Sequence, residues 1–424
     1  MKRFIAAFLA MAMGFSPAFA ADQTTLSLPQ LLEETRRVNP GILAARKKWE
    51  AMQAKIPQAT GLPAPKIGVE FEEIPRGSFK IDKATTIYQL IQSLPFPGKL
   101  SLKQQVAIQE AQVAASGYKQ TEWDVLWHVK ETYYNLFLLD REMEIEEEQI
   151  LWLRQAASAA QARYATGQAP EGELLRAQAA VLEAANEREV LIHRRLAAAA
   201  HMNHLLNRPG DASVEKPPPV EFLAVPGSPE ELLGTALIHQ PELLAFQFSA
   251  GRAEAAWKLS KRELLPDLET MLELRDPAAG PIGPWDLTLA LVLPFWFWTK
   301  QRYGVTVALH DKESAQAAYQ AMRNEITTRI HEYWHQAQAS YATVKLCRES
   351  LIPLAHQAVA SDLAAYQGGR LSFMELIDAF RILGERRRTY NQHLVALEQE
   401  MSLLELSVGV PLRDLHRIVG KEGS

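Results

Sequence analysis

The stretch Tyr366-Gln-Gly-Gly-Arg-Leu-Ser-Phe-Met-Glu-Leu-Ile-Asp-Ala-Phe380 reads as the end of one helix, a bend and the start of another. It has an echo 202 positions earlier, Tyr164-Ala-Thr-Gly-Gln-Ala-Pro-Glu-Gly-Glu-Leu-Leu-Arg-Ala-Gln178. In both copies a Tyr is followed three residues on by Gly (Gly167, Gly369). A polar bend comes next, then a helical restart with Leu and Ala at matching places. Gly ends helices because it takes up the left-handed conformation without strain, and a capping Ser or an acid opens the next helix. The chain therefore holds two long helical hairpins of one design.

Working outward, other landmarks repeat in the same order. Asn39-Pro40 matches Gln240-Pro241, Leu62-Pro63-Ala64-Pro65 faces Leu264-Leu265-Pro266, and Leu94-Pro95-Phe96 matches Leu293-Pro294-Phe295. Matches in one order at nearly one spacing mark an internal repeat. The pattern predicts a tandem duplication: a first repeat over 21–206, an extended Pro-rich linker over 207–229 (with Pro217, Pro218 and Pro219), a second repeat over 230–412 and a tail over 413–424.

Each repeat carries the same parts. An amphipathic helix is expected over about Leu28 to Thr60, and again over Pro229 to Leu264. Two short strands follow, then a very long helix to the Tyr-Gly bend and a second long helix back. Gly98 to Tyr164 holds no Pro, and Gly117 is its only interior Gly. At 1.5 Å per residue it would reach roughly 100 Å, too long for one compact domain. Its spaced Ala residues (Ala156, Ala159, Ala160, Ala162) let helices approach closely, as in a coiled-coil wall. The strands alternate: Ile67, Val69 and Phe71 against Gly68, Glu70 and Glu72; Trp285, Leu287, Leu289, Leu291 and Leu293 against Asp286, Thr288, Ala290 and Val292. Leu268, Leu272 and Leu274 form a third apolar stripe, and Tyr88, Leu90 and Leu94 a weaker one interrupted by Gln92. This period suits a membrane barrel with lipid outside and water inside, or a half-buried sheet on a soluble core. Four strands cannot enclose a channel, and each is flanked by helices with no other sheet to join. Several copies must therefore contribute strands to one barrel.

The first 20 residues read as an export signal: Lys2 and Arg3, an apolar run from Phe4 to Phe15, and Ala18-Phe19-Ala20 before a cleavage point. No Cys stands near that point to take a lipid. The full chain already carries a net charge of −5, and losing the signal removes two basic residues and no acid, which argues against a nucleic-acid partner. The single cysteine, Cys347, falls in a helical pattern and reads as a small core residue. After the signal no apolar run approaches the roughly 18 residues of a membrane-spanning helix, so membrane entry would require strands closed into a barrel.

With duplicated halves, two strands in each and two long hairpins, the mature chain resembles the TolC family of outer-membrane efflux channels. The segment Leu94-Pro95-Phe96-Pro97-Gly98-Lys99 is similar to the branch serving heavy-metal exporters, the CzcC and CusC type. The resemblance implies a mainly α fold with a small β part: a homotrimer whose twelve strands form an outer-membrane β-barrel and whose helices form a periplasmic α-barrel. It also implies a Gram-negative outer membrane, a periplasmic adaptor protein and an inner-membrane RND pump, with no catalysis and no cofactor. In that family the second tip carries Tyr, Gly, two acids three apart and Ala; here these are Tyr366, Gly369, Glu375, Asp378 and Ala379. Threefold symmetry would place six carboxylates in a narrow mouth, where they attract cations and raise one another's pKa. The family's basic gate partner falls at Leu371, with Arg370 one residue before it. In the first tip, Glu173 matches an acidic family position with Glu171 beside it, and Tyr164 and Gly167 complete a surface for the adaptor. Helix-start acids that favour the dipole are the plainer reading of all four carboxylates.

Two other motifs suggest rival chemistry. His331-Glu332-Tyr333-Trp334-His335 matches the zinc-protease pattern on a helix, yet the first repeat reads Lys130-Glu131-Thr132-Tyr133-Tyr134 there, keeping the aromatics and losing both histidines. A structural stripe explains both copies. His201-Met202-Asn203-His204 closes a helix and is expected on the surface. Three readings stay open: a passive conduit, for heavy-metal cations; a drug-efflux or type I secretion outlet of the same fold; and a soluble periplasmic coiled-coil scaffold. The aromatic run Phe295-Trp296-Phe297-Trp298 favours a membrane conduit, because aromatics collect at membrane interfaces.

Overall fold

A computed structural model describes residues 27–74, 77, 81, 84–275 and 284–412. The expected export signal and the expected tail over 413–424 lie outside the described residues. The first repeat runs α1 (Leu28–Val38), α2 (Pro40–Thr60), β1 (Lys66–Glu72), β2 (Thr85–Leu94), α3 (Lys99–Ala165) and α4 (Glu171–Leu205). The second runs α5 (Pro229–His239), α6 (Pro241–Arg262), β3 (Asp267–Arg275), β4 (Trp285–Val292), α7 (Arg302–Leu346), α8 (Ile352–Gln367) and α9 (Phe373–Val408).

The expected opening helix is two helices in each repeat, broken at Asn39 and at Gln240. Both residues are extended, because a following Pro excludes the helical conformation from the residue before it. Each side chain caps the helix it precedes: Asn39 accepts from the amides of Gly41 and Ile42, and Gln240 from that of Leu243. Asn39 also donates to the Leu205 carbonyl at the end of α4, so the break sits on the returning helix. In the second repeat Gly409 ends α9 against the same break. Its φ of +79° and the His239 carbonyl 2.7 Å from where a Cβ would stand leave room for Gly alone.

A further difference separates the repeats. The outgoing helix α3 is unbroken over 67 residues, whereas its counterpart is interrupted by a π turn over Cys347–Leu351 before α8. Cys347 is buried, as its place in the helical pattern suggested.

The four strands form one antiparallel sheet in the order β1-β2-β3-β4, so the repeat boundary lies at β2·β3. Ile67, Leu90, Leu272 and Leu287 stand in register across it, as do Val69, Tyr88, Leu274 and Trp285. These are exposed, Ile67 to 82%. On the opposite face Gln89 donates to Glu70 and to Glu273, and Arg275 pairs with Glu72 and Asp286, with Ile87 buried among them. Gln92 lies beside Thr270 on the apolar face, and its side-chain amide donates to the Pro63 carbonyl.

α3 is the spine. It packs on α2 and α6 near the sheet and on α4 and α9 farther along, while α7 packs on α6 and then α9. Tyr133 and Phe137 of α3 meet Met202 of α4 and Leu394 of α9 in the central core. Three charge pairs run along the α3·α9 seam, Lys130 with Glu405, Glu146 with Arg388 and Glu148 with Arg387. The linker lies against this core: Arg195 and Asn203 donate to the carbonyls of Val214 and Ala212, and Phe222 stacks on Tyr341 at 4.8 Å. Trp334, from the His331–His335 motif, donates to the Gly227 carbonyl, and its repeat counterpart Tyr133 is buried. Among the described residues no three His, Cys, Asp or Glu side chains gather as a metal-ion set, and no helix is long and apolar enough to cross a membrane.

Candidate functional site

The two Tyr-Gly bends form one end of the molecule, farthest along α3 from the sheet. Their backbones match. Gly167 and Gly369 have φ of +71° and +70°, with nothing within 4 Å of a Cβ, so conformation and not crowding selects Gly. The amide of Gln168 reaches back to the Arg163 carbonyl, and that of Arg370 to the Ala365 carbonyl, the bond that closes a helix through a left-handed residue.

The side chains diverge. Tyr164 is 44% exposed, whereas Tyr366 is 2% exposed in an apolar cluster with Ala160, Ala177, Val359 and Phe373. The Tyr366 hydroxyl donates to Glu173 Oε1 at 3.1 Å, and the Arg163 guanidinium lies 5.0 Å from its ring centre. Arg163 also stands 3.7 Å from Glu173. A base from α3 and an acid from α4 thus clamp a phenol from α8, which joins the first hairpin to the second. Burial, and then the facing Glu173 carboxylate, push the Tyr366 hydroxyl above its usual range.

Glu375 and Asp378 lie exposed, one turn apart on α9, each with a partner in its own chain. Glu375 completes a capping box, accepting from the Ser372 amide at 2.8 Å and the Ser372 hydroxyl at 2.7 Å. Within its own chain these bonds hold its carboxyl below the usual range. Asp378 pairs with Arg381 at 2.7 Å, and Arg381 reaches on to Glu385. Arg370 is exposed at the bend, and Leu371, where the resemblance places a base, is packed against the tip cluster. Tyr366 and Glu173 are therefore drawn together; Gly369 lies exposed at the second bend, and Tyr164, Gly167 and Glu171 lie exposed on the first. Sequence reasoning missed Arg163 and Arg381. The second was legible as a base three residues after Asp378 on a helix. The first was not, because the phenol ring it covers lies in the other repeat.

The model of the outer membrane efflux protein family matches residues 31–208 and again 232–409. The cobalt-zinc-cadmium resistance protein CzcC of Cupriavidus metallidurans is 21% identical over 367 residues, spanning 86% of this chain and 85% of that protein. Among solved structures, the outer membrane protein VceC of Vibrio cholerae superposes with a TM-score of 0.78 at 17% identity, covering 91% of this chain and 96% of its own. CusC gives 0.79 at 15% identity over 91% of this chain and 93% of its own. Matched in both of its halves, the chain belongs to the outer membrane efflux protein family.

Proposed function

We propose that three copies of this chain assemble into a passive conduit through the outer membrane of a Gram-negative bacterium, closed at the hairpin tips until an adaptor and an inner-membrane RND pump dock. The observation that carries the reading is the open four-stranded sheet, apolar on one face and charged on the other, with β1 and β4 each paired on one side only. Unpaired strand edges inside lipid are costly, so neighbouring chains supply the missing partners. Residues 1–20 act as the export signal, 207–229 as the connection between repeats, and energy comes from the pump.

The gate in this reading is the Arg163–Glu173–Tyr366 clamp, with Glu375, Asp378 and Arg370 at the mouth. Tyr164, Gly167, Glu171 and Gly369 offer the surface that the adaptor meets. Cobalt, zinc and cadmium are named for the relative CzcC, and divalent heavy-metal cations are the cargo proposed here. Deleting the gene and measuring sensitivity to cobalt, zinc, cadmium, copper and silver against drugs tests this; sensitivity to drugs alone would favour a drug-efflux outlet. Purification in mild detergent tests the conduit itself. A trimer that stays with outer membranes and conducts in planar bilayers is expected, and a monomer released with the periplasm would leave a scaffold instead. Replacing Glu375 and Asp378 together with Ala should raise conductance and weaken block by multivalent cations.

A further inference from the structure

The two strand-to-helix junctions descend from one motif and have opposite surroundings. In the first, Leu94-Pro95-Phe96-Pro97-Gly98-Lys99 folds inward: the Phe96 amide and the Lys99 ammonium both donate to Asp267 Oδ1 at 2.7 Å, and Lys99 is 7% exposed. The second, from Leu293 to Tyr303, turns outward. Phe295, Trp296 and Trp298 are 66%, 63% and 45% exposed and pack on one another edge to face, with ring centres 5.8 to 6.1 Å apart. A π turn over Phe297–Gln301 follows, started by the amides of Thr299 and Lys300 reaching back to the Trp296 carbonyl. Lys300 and Arg302 are exposed within this turn and just after it, and among the described residues no carboxylate forms an ion pair with either. The apolar stripe of β4 (Leu287, Leu289, Leu291) runs through Leu293 directly into the aromatic cluster.

Exposed aromatics continuing a lipid-type stripe, ended by two unpaired cations, are complementary to the polar edge of a bilayer with negative headgroups. We propose that Lys300 and Arg302 bind the phosphates of anionic phospholipids in the periplasmic leaflet, while the aromatic cluster seats in the glycerol region above them. This rests on the outer-membrane reading and adds headgroup selection at a defined place, once per chain.

The test uses the full assembly in phosphatidylcholine bilayers with a trace of spin-labelled phosphatidylglycerol or spin-labelled phosphatidylcholine, reading the immobilised fraction. The native protein should immobilise phosphatidylglycerol preferentially. Lys300→Gln with Arg302→Gln should reduce the preference roughly fivefold per charge removed, whereas Lys300→Arg with Arg302→Lys should keep it. Trp296→Ala with Trp298→Ala should lower immobilisation of both lipids alike. Equal immobilisation of the two lipids by the native protein, or a preference unchanged in the double Gln variant, would overturn the proposal. So would an aromatic variant that loses its trimer and keeps its lipid preference, since the patch would then belong to a neighbouring copy. A native protein that fails to enter bilayers at all would instead remove the outer-membrane reading.

Discussion

Tyr164 and Tyr366 end matching helices, three residues before matching glycines, and only one of them is held. Tyr366 lies inside an apolar cluster with its hydroxyl on Glu173 and Arg163 beside its ring; Tyr164 stands in the open. The restarts differ too. Ser372 and Glu375 cap α9 reciprocally, while α4 begins after Pro170, which offers no side-chain cap. Duplication thus supplied two equal bends, and the second became the fastened one. The first is left exposed.

Truncating the two tyrosines should break the symmetry most. Tyr366→Ala removes a buried aromatic and is expected to destabilise the tip by about 3–5 kcal/mol, with a larger single-channel conductance in planar bilayers. Tyr164→Ala should stay within about 0.5 kcal/mol in thermal unfolding. Comparable losses in both would mean that the exposed bend is also held.

The clamp bond comes next. Glu173→Gln or Tyr366→Phe should each cost about 1.5–3 kcal/mol, the range of a hydrogen bond to a charged group. The phenol sharpens this through pH. Its pKa lies above the ordinary 10.0, so the folded tip retains a proton that the loosened tip releases. The stabilisation is complete below pH 10.0 and is lost as pH rises toward the folded value. Conductance of the native channel should therefore grow on alkaline titration beyond pH 10.0, and that of Tyr366→Phe should not respond.

Smaller effects test what the bends share. Gly167→Ala and Gly369→Ala each force a side chain into the left-handed region and should cost about 1–2 kcal/mol in thermal unfolding, equally at both bends. Ser372→Ala should cost about 1 kcal/mol, and Pro170→Ser should recover part of that amount at the first bend by providing the missing cap. A negligible change in both would show that the caps do not distinguish the hairpins.

Much of this was readable in the chain because it was local or repeated. The Tyr-Gly bends, the helix-long runs without Pro and the alternating strands all declare themselves within a dozen residues. The breaks at Asn39 and Gln240 were readable as well, since each precedes a Pro, yet the continuing amphipathic pattern concealed them. The π turn at Cys347 left no comparable mark beyond Pro353. The clamp was hidden for a different reason. Tyr366 and Glu173 are 193 residues apart, and no periodicity links a phenol on one hairpin to an acid on the other. Glu375 illustrates the converse: its spacing from Ser372 announced a cap as clearly as its spacing from Asp378 suggested a ring.

The seam between α3 and α9 has a mechanical consequence. Its charges change sign midway: α3 presents Lys130 and then Glu146 and Glu148, while α9 presents Arg387 and Arg388 and then Glu405. Only one alignment satisfies every partner. A shift of one turn would leave Glu146, 3% exposed, without a counter-charge, and losing a buried partner costs about 3–5 kcal/mol. The hairpins are thus keyed against telescoping, and whatever widens their far end has to do so by splaying below the key.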